Sequence, residues 1–532
     1  MSDRDTYAVV GAGPAGAAAA KALVALGRKV VVLDAGLTLE PARELARRRM
    51  AATLPQSWSQ ADVALTRYSA HGARGAGYKR LFGDDVAFRD DGVLDFSAAP
   101  AVGAHPSYAI GGLSNVWGAG VLPYVERDLE GWLVSANELR DAYEAVLEFI
   151  PYAGEEDELS ARYPLVVKPD GPLLRSDAGE ALLARLRRHR HSLKGAGYDF
   201  GASRLAIRVG HPAPARGCVY CAHCLDGCPY GHIYNAAQTI EQLRHEGLID
   251  YRPGLHVDRV LEDDGGGVTI EATPIGGGQG VRVRASRAFL AAGAVSSTII
   301  MQRSGLLPER TEILDSQTLY LPFGWIGRVG RTGREPGHTL AQAFLVLDDP
   351  EVSSRPVHIS LYTYNDGLNE RARASHPRLS SLLGPFLDGI TRHLVIGICF
   401  FHSDDSHRIL SESRPGTSKV SLEPVHNPAT GVVLDRFKRA LARSLGPLGL
   451  IPLSPLAEAP SPGGGYHYGG SVPMRTRPRA GQSDTLGRPV PARRIHAVDS
   501  SCFPSVPGGT VTFPSMANAY RIATTAVLGD GA

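Results

Sequence analysis

The sequence has no excess of charge of either sign and no long hydrophobic run. Lysine and arginine number 56 and aspartate and glutamate 54, so the formal net charge of the 532 residues is +2. A balance this close to neutrality gives no electrostatic reason to expect a nucleic acid partner. No apolar stretch reaches the ~18 residues that a membrane span requires, so none is expected. The polar N-terminus has no signal-peptide pattern, and we expect a cytoplasmic protein.

Cysteine is also scarce, and its distribution is uneven. Of six cysteines, four lie within eleven residues, Cys218, Cys221, Cys224 and Cys228, and Pro229 follows the last. This is the spacing with which bacterial ferredoxins ligate an iron–sulfur cluster. Short Cys-x-x-Cys steps curl the backbone so that the thiolates point at one soft multi-iron body. This cysteine loop (residues 218–229) therefore predicts a metal site, with a 4Fe-4S cluster favoured over a 3Fe-4S cluster.

Two other interpretations of the cysteine loop remain open. Four thiolates also bind zinc, although zinc sites commonly place a longer spacer between two Cys-x-x-Cys hooks, and this sequence has no such spacer. Two local disulfides are the second alternative, and they require an oxidising compartment.

A glycine-rich turn near the N-terminus joins an apolar strand to an alanine-rich helix. Gly11-Ala-Gly13-Pro-Ala-Gly16 follows the strand directly, and a second strand ends at Asp34. In this pattern the first glycine allows a tight turn, the second lets the backbone approach a pyrophosphate, and the third lets the helix pack on the strand. The helix N-terminus favours phosphate charge, and the acid binds ribose hydroxyls. The unit predicts dinucleotide binding without choosing between FAD and NAD.

After residue 254 the sequence pattern predicts strands in two separate regions. Leu255–Asp263, Val268–Thr273 and Val281–Ala285 predict a three-strand meander. From about residue 305 to 453 the pattern becomes β-rich and irregular, which indicates a second domain. The run Ser461-Pro-Gly-Gly-Gly465 predicts a flexible linker.

Together these segments resemble the glucose–methanol–choline (GMC) family of flavin oxidoreductases. Beside the N-terminal unit, Gly111–Trp117 is similar to the family's loop next to the isoalloxazine, and Leu290–Val295 to the strand that returns to FAD. Tyr466–Met474 resembles the segment of the catalytic histidine, and Asp499–Pro514 the closing flavin-binding segment. The residues from about 305 to 449 carry no marker of the family.

The resemblance implies an α/β fold, with a Rossmann-like FAD-binding domain and a second α+β substrate-binding domain built on an antiparallel sheet. The first is expected over residues 1–135, 205–310 and 465–532, and the second over 136–204 and 311–464. Val116 stands where some relatives have a histidine that attaches FAD covalently, so non-covalent FAD is expected. The residues expected to bind FAD are Gly11, Gly13, Pro14, Ala15, Gly16, Asp34, Gly112, Ser114, Asn115, Val257, Ala292, Gly293, Asp499, Thr510, Val511 and Thr512.

The resemblance also implies an activity, the oxidation of a CH–OH group by hydride transfer to flavin N5. His467 is the expected base, which takes the hydroxyl proton. Thr510 stands where relatives usually have His or Asn, and it is expected to orient the hydroxyl or the flavin because threonine is no base at neutral pH. A sugar or glycoside is the preferred substrate, with other alcohols behind it. The iron–sulfur-containing sugar dehydrogenases resemble the chain most, which implies electron exit through the cluster to an acceptor protein or quinone.

Two functional alternatives remain. The chain could be an oxidase whose flavin reacts with oxygen and whose cysteines hold zinc or form disulfides. It could also be an electron-transfer subunit that holds FAD and a cluster without substrate chemistry, since Thr510 replaces the usual second polar residue.

Overall fold

The described part of the chain folds around four β-sheets. The structure, a computed structural model, describes residues 6–66, 80–89, 94–98, 102–210, 217–327, 329, 337–365, 384 and 389–529. The expected domain ends at residues 1 and 532 lie outside this part. The strands are β1 (Thr6–Val10), β2 (Lys29–Leu33), β3 (Asp95–Ala98), β4 (Tyr198–Ala202), β5 (Ile249–Arg252), β6 (Leu255–Glu262), β7 (Val268–Pro274), β8 (Val281–Ala285), β9 (Arg287–Leu290), β10 (Arg310–Asp315), β11 (Thr318–Trp325), β12 (Ala343–Leu347), β13 (Val357–Tyr362), β14 (Leu394–Phe400), β15 (Arg408–Ser413), β16 (Lys419–Val425), β17 (Leu450–Pro452), β18 (Tyr468–Gly469) and β19 (Ile495–Ala497).

Helices pack against these sheets and against one another. Those of the described residues are α1 (Pro14–Ala25), α2 (Pro41–Ala51), α3 (Gln60–Thr66), α4 (Ala136–Leu147), α5 (Asp177–Arg188), α6 (Arg190–Gly195), α7 (Ala236–His245), α8 (Ala294–Arg303), α9 (Ala429–Leu445) and α10 (Thr512–Leu528). The small side chains of α1 are almost all buried, and the C-terminal helix α10 packs against both α1 and α4. None of the described helices is both long enough and apolar enough to cross a membrane.

The first sheet is parallel and has the strand order β19-β9-β1-β2-β5. Every residue of β1 and β9 is buried, as expected for parallel strands that are covered on both faces. The carboxyl ends of parallel strands meet at one edge of the sheet, which is where such sheets bind ligands. The topology therefore places the segments after β1, β2, β9 and β19 side by side.

A separate antiparallel sheet has the order β17-β11-β14-β13-β12-β4. One face packs with α5 and α9 in an apolar core that includes Phe323, Ile359 and Phe437. The other face joins the core of the parallel sheet through Phe344 and Tyr362, among others. Because side chains alternate along each strand, one face of this sheet packs against its own helices and the other packs toward the first sheet.

Two smaller sheets complete the fold. The predicted meander is present as β6-β7-β8, and a mixed sheet runs β18-β10-β15-β16-β3. The pairing of β18 with β10 attaches the segment after His467 to this mixed sheet.

Hydrogen bonds define the start of α4 and hold the segment that was expected to be a flexible linker. The helix α4 begins only after Ser135, because the Ser135 hydroxyl accepts from the Glu138 amide and forms a capping box. The glycine run at 463–465 is not a free linker, since the Gly463 amide donates to the buried Asp315 carboxylate at 2.8 Å. Local composition could not show either contact.

Candidate active site

A groove follows the carboxyl edge of the parallel sheet and encloses roughly 1140 Å³ of space free of atoms, part of it open to solvent. The turns after β1, β2 and β9 and the start of α10 line it. Of the residues expected to bind FAD, the groove is lined by Gly11, Gly13, Pro14, Ala15, Asp34, Gly112, Val257, Ala292, Gly293, Asp499, Val511 and Thr512. Gly16, Ser114, Asn115 and Thr510 do not line it, although each is next in sequence to a residue that does or within two residues of one.

The three glycines of the N-terminal turn divide their tasks as the motif predicts. Gly11 has a φ of +101°, and a Cβ there would lie 2.6 Å from the Ala291 carbonyl oxygen. A Cβ at Gly16 would overlap the carbonyl oxygen of Gly11. A Cβ at Gly13, in contrast, would meet no atom within 4 Å, so the protein leaves the space above this residue open. The open space lies at the N-terminus of α1, where a pyrophosphate fits.

Asp34 stands at the end of β2 with both carboxylate oxygens engaged. The Ala12 amide donates to one oxygen at 3.0 Å and the Tyr251 hydroxyl to the other at 3.2 Å. Burial raises the pKa of Asp34 to about 6, against the lowering effect of these bonds. Each carboxylate oxygen has two acceptor sites, so Asp34 keeps capacity for a ribose hydroxyl.

Asp499 holds the opposite side of the groove together. Its carboxylate accepts from the Gly293 amide at 2.9 Å, the Ser297 hydroxyl at 2.6 Å and the Ser501 amide at 2.9 Å. These bonds tie the turn after β19 to the N-terminus of α8. Its place beside FAD stays a prediction. Its hydrogen bonds hold two segments of the groove wall together.

The loop of Gly111–Trp117 is bonded to the segment that follows the cysteine loop. A Cβ at Gly111 would overlap Oδ1 of Asn235, and the Asn235 side chain also donates to Asn115. The Ala236 amide donates to Ser114 Oγ at 3.0 Å. Asn235 is a positioning residue that the sequence did not single out, because its role depends on contacts about 120 residues away along the chain.

The expected base, His467, lies next to the groove on the segment that enters β18. Its ring stacks on Phe400 with centroids 4.4 Å apart and an interplanar angle of 15°. Its Nδ1 is excluded from solvent and has no hydrogen-bond partner among the described residues. Burial lowers the pKa of His467 to about 4, although a backbone hydrogen bond with Gly509 opposes this. The imidazole is therefore neutral at physiological pH and able to accept a proton.

Thr510 lies in the segment just before α10. Its hydroxyl donates to the Leu122 carbonyl at 3.3 Å. Its methyl group lies so close to Gly120 that a Cβ there would be 2.6 Å from it, and the Phe344 ring would be 3.6 Å away. These contacts agree with a role in positioning and give Thr510 no access to base chemistry.

A second buried histidine, His358, reaches the site from the antiparallel sheet. Its ring lies 4.9 Å from that of Phe344 and 6.0 Å from that of Phe400, the aromatic partner of His467. Sequence reasoning did not single it out, because a lone histidine in an apolar strand resembles a core residue. The period-two pattern of β13, which places positions 358, 360 and 362 on one face, could have found it.

The cysteine loop has four thiols that are not bonded to one another. The amide of Tyr220 donates to Cys218 Sγ at 3.4 Å, and that of His232 to Cys228 Sγ at 3.3 Å. Burial raises the pKa of Cys218 to about 12, with the neighbouring thiols adding to this effect. Amide donors of this kind stabilise thiolate ligands.

The described residues nevertheless provide no group of three or more His, Cys, Asp or Glu side chains placed to hold a metal ion. Zinc would need sulfurs about 2.3 Å from a single ion, so the zinc alternative gains no support. The iron–sulfur cluster is not supported by this arrangement either, and it stays a prediction.

Comparison with known proteins gives a likeness of structure only. Neither family models nor curated proteins match the chain. The crystal structure of pyridoxine 4-oxidase from Mesorbium loti superposes with a TM-score of 0.58 at 16% identity and covers 98% of this chain and 98% of that one. The chain is similar in overall fold to that protein. The expected fold class, a parallel α/β part with a second antiparallel sheet, is thereby confirmed, and the chemistry rests on the residues of this chain.

Proposed function

We propose that this protein is an FAD-dependent oxidoreductase that converts the CH–OH group of an alcohol to a carbonyl. The observation that carries the proposal is the neutral, buried imidazole of His467 beside the closing loop of a dinucleotide groove. FAD, when bound, supplies the acceptor for the hydride that leaves the substrate carbon. The enzyme class and the family resemblance agree with the shared fold.

The residues present suit FAD. Gly13 leaves room at the start of α1 for a pyrophosphate, and Asp34 keeps acceptor sites for a ribose. The loop of Gly111–Trp117 and the start of α10 would hold the flavin end of the cofactor. The side chain of Val116 has no nucleophilic atom that could form a covalent link to FAD, so we propose non-covalent FAD.

The chain itself provides the proton chemistry. We assign His467 as the base that takes the hydroxyl proton, because its Nδ1 is unpartnered among the described residues and burial keeps the ring neutral. The stack on Phe400 fixes the plane of the ring. Fixing a base in this way saves the entropy of orienting it in the transition state.

The face of the antiparallel sheet that carries His358 and Phe400 favours an alcohol on an apolar body. On β12 to β14 its side chains are aromatic, aliphatic or neutral and polar: Phe344, Val346, His358, Ser360, Tyr362, Ile396, Ile398 and Phe400. A sugar would leave many hydroxyls buried against such a surface without partners, at a cost of about 1–3 kcal/mol for each. We therefore place apolar and aromatic alcohols ahead of the sugars that the family resemblance implies.

We further propose an iron–sulfur cluster on Cys218, Cys221, Cys224 and Cys228, with 4Fe-4S ahead of 3Fe-4S. Support comes from four unbridged thiols in one loop and from the amides that donate to two of them. Such a cluster would supply a one-electron centre, which suits an acceptor protein or quinone better than oxygen.

Anaerobic mixing with a panel of alcohols tests the proposal. The purified protein is assayed for FAD, iron and sulfide, then mixed with aromatic alcohols, aliphatic alcohols and sugars while the flavin absorbance is followed. We expect bleaching by an apolar alcohol and none in His467→Ala. Full loss of flavin absorbance in His467→Ala would refute the assignment of His467 as the base. Rapid reoxidation by oxygen in a protein without iron would favour the oxidase alternative.

A further inference from the structure

His358 lies where the site of the proposed reaction needs a second polar group. It is fully buried on β13, on the face of the antiparallel sheet that joins the core of the parallel sheet. Phe400 contacts both histidine rings, and Phe344 connects His358 to the neighbourhood of Thr510. The ring contacts therefore join β12 to β14 of the antiparallel sheet to the segment that carries His467.

The hydrogen bonds of His358 leave one ring nitrogen without a partner. Its Nε2 lies 3.0 Å from the hydroxyl oxygen of Ser360. Its Nδ1 is buried and has no partner among the described residues. A buried nitrogen without a hydrogen bond costs about 1–3 kcal/mol, and a ligand that supplies the partner recovers this cost.

We propose that His358 is a second catalytic residue, whose Nδ1–H donates a hydrogen bond to the substrate oxygen while His467 takes the proton from it. This inference rests on the proposed alcohol oxidation. In this assignment the Ser360 hydroxyl donates to Nε2, which places the ring proton on Nδ1. As the O–H bond breaks, its proton goes to His467, and bound FAD would supply the acceptor for the hydride that leaves the carbon as the carbonyl forms. Charge that develops on the oxygen meets a fixed donor.

The charges around His358 fit a donor that stays neutral. Burial, with smaller contributions from the neighbouring His467 and Arg162, lowers its pKa to about 3. Burial also lowers the pKa of His467, to about 4, so both rings are neutral at physiological pH. Arg162 is itself paired with Asp199 at 3.4 Å and with Asp348 at 3.2 Å. Thr510 cannot fill the donor role while its hydroxyl donates to Leu122.

The test compares His358→Phe and His358→Asn with the wild-type holoenzyme in anaerobic flavin reduction by the best alcohol of the panel. Phenylalanine keeps the aromatic packing and removes the donor, and we expect the limiting rate of reduction to fall about 10²–10³-fold. Asparagine restores a donor, and we expect the His358→Asn variant to reduce flavin at least about tenfold faster than His358→Phe. FAD content and the dissociation constant of the alcohol should change little.

A matched control is His338→Asn. His338 is also buried, its pKa is also lowered to about 3 by burial, and its Nε2 is also unpartnered among the described residues. Its contacts are with Gln342, and it has no contact with Phe400 among the described rings. We expect this variant to reduce flavin within about twofold of wild type, because general loosening of a buried histidine does not remove the donor.

Three results would overturn the inference. They are a His358→Phe variant that reduces flavin at the wild-type rate, no rescue by asparagine, and an equal loss in His338→Asn. Failure of the proposed function is distinguishable, because the wild-type protein would then show no bleaching with any alcohol, and the role of His358 would fall with it. If His358→Phe does not fold, the asparagine variant and the control decide alone.

Discussion

The burial of His467 sets the expected pH dependence of flavin reduction. A base must be neutral to take a proton, and burial lowers the pKa of this imidazole from 6.5 to about 4. At pH 5 such a group is about 90% neutral, whereas an exposed imidazole of pKa ~6.5 would be about 3% neutral. We therefore expect the rate at pH 5 to stay near its value at pH 7 and to fall tenfold per unit only below the lowered pKa.

Rapid anaerobic mixing at saturating alcohol, from about pH 8 down to about pH 4, measures this profile. The His467→Asn variant gives the baseline, since its residual rate should not follow the titration. A midpoint near 6.5 in the wild-type protein would refute the reasoning, because it would mean that the proton goes to an exposed group or that the ring is hydrated in the working enzyme.

The same burial weakens the fold at low pH, so the profile needs a stability control. His338, His358 and His496 are buried, with pKa values lowered to between about 3 and 4 chiefly by burial. The unfolded chain binds their protons near pH 6.5 and the folded chain does not, so stability is lost as the pH falls from 6.5 to the folded pKa. At pH 5 each costs about 2 kcal/mol. The buried Asp34, Asp128 and Asp315, whose pKa values burial raises, contribute in the opposite direction over the same range. Urea unfolding at pH 7 and pH 5 measures the net change, and rates are compared only where the protein stays folded.

Three further predictions concern the base, the cysteines and the glycine turn. His467→Ala should lower the rate of flavin reduction about 10²–10⁴-fold with FAD content unchanged, as measured by stopped-flow absorbance. Cys228→Ser should remove iron and sulfide and slow transfer to a one-electron acceptor, while flavin reduction by the alcohol stays within about twofold. Gly13→Ala should keep the melting temperature of the FAD-free protein and weaken FAD binding at least about tenfold, whereas Gly16→Ala should lower both, as followed by thermal melting and flavin fluorescence.

Matched variants separate these effects from general damage. Cys399→Ala removes a buried cysteine outside the cysteine loop and should leave iron unchanged. Gly195→Ala adds a Cβ that meets no atom within 4 Å and should not affect FAD binding. Iron retained in Cys228→Ser would contradict the cluster, and tight FAD binding by Gly13→Ala would mean that its open space is not a phosphate site.

The dinucleotide groove could be predicted because its motif ties spacing to geometry. Gly11, Gly13 and Gly16 belong to one turn, and β1 and β2 must be parallel neighbours for Asp34 to reach the same edge. Local rules of this kind hold without knowledge of the rest of the chain. The parallel pairing of β1 with β2 and the meander of β6, β7 and β8 could be predicted in the same way.

The second half of the site could not be predicted, because it depends on how two sheets face each other. His358, Phe344 and Phe400 come from strands whose sequence shows only alternation, and alternation does not say which face meets the groove. Asn235 likewise gains its role from Asn115, far away in sequence. The glycines after residue 462 predicted a flexible linker, whereas the buried carboxylate of Asp315 on β10 accepts a hydrogen bond from the Gly463 amide and holds it in place.

The geometry of the base depends on a two-residue crossing between the sheets. Ser316 and Gln317 connect β10 of the mixed sheet to β11 of the antiparallel sheet, and both are buried. The Ser316 amide donates to the His467 carbonyl at 2.8 Å, and the Ser316 hydroxyl donates to the Phe401 carbonyl at 2.7 Å. One residue thus fixes the backbone of the base and the end of the strand that carries its ring partner, Phe400. Since both bonds are buried, losing either would leave an unpaired polar group at about 1–3 kcal/mol, and this cost keeps the imidazole stacked in one position.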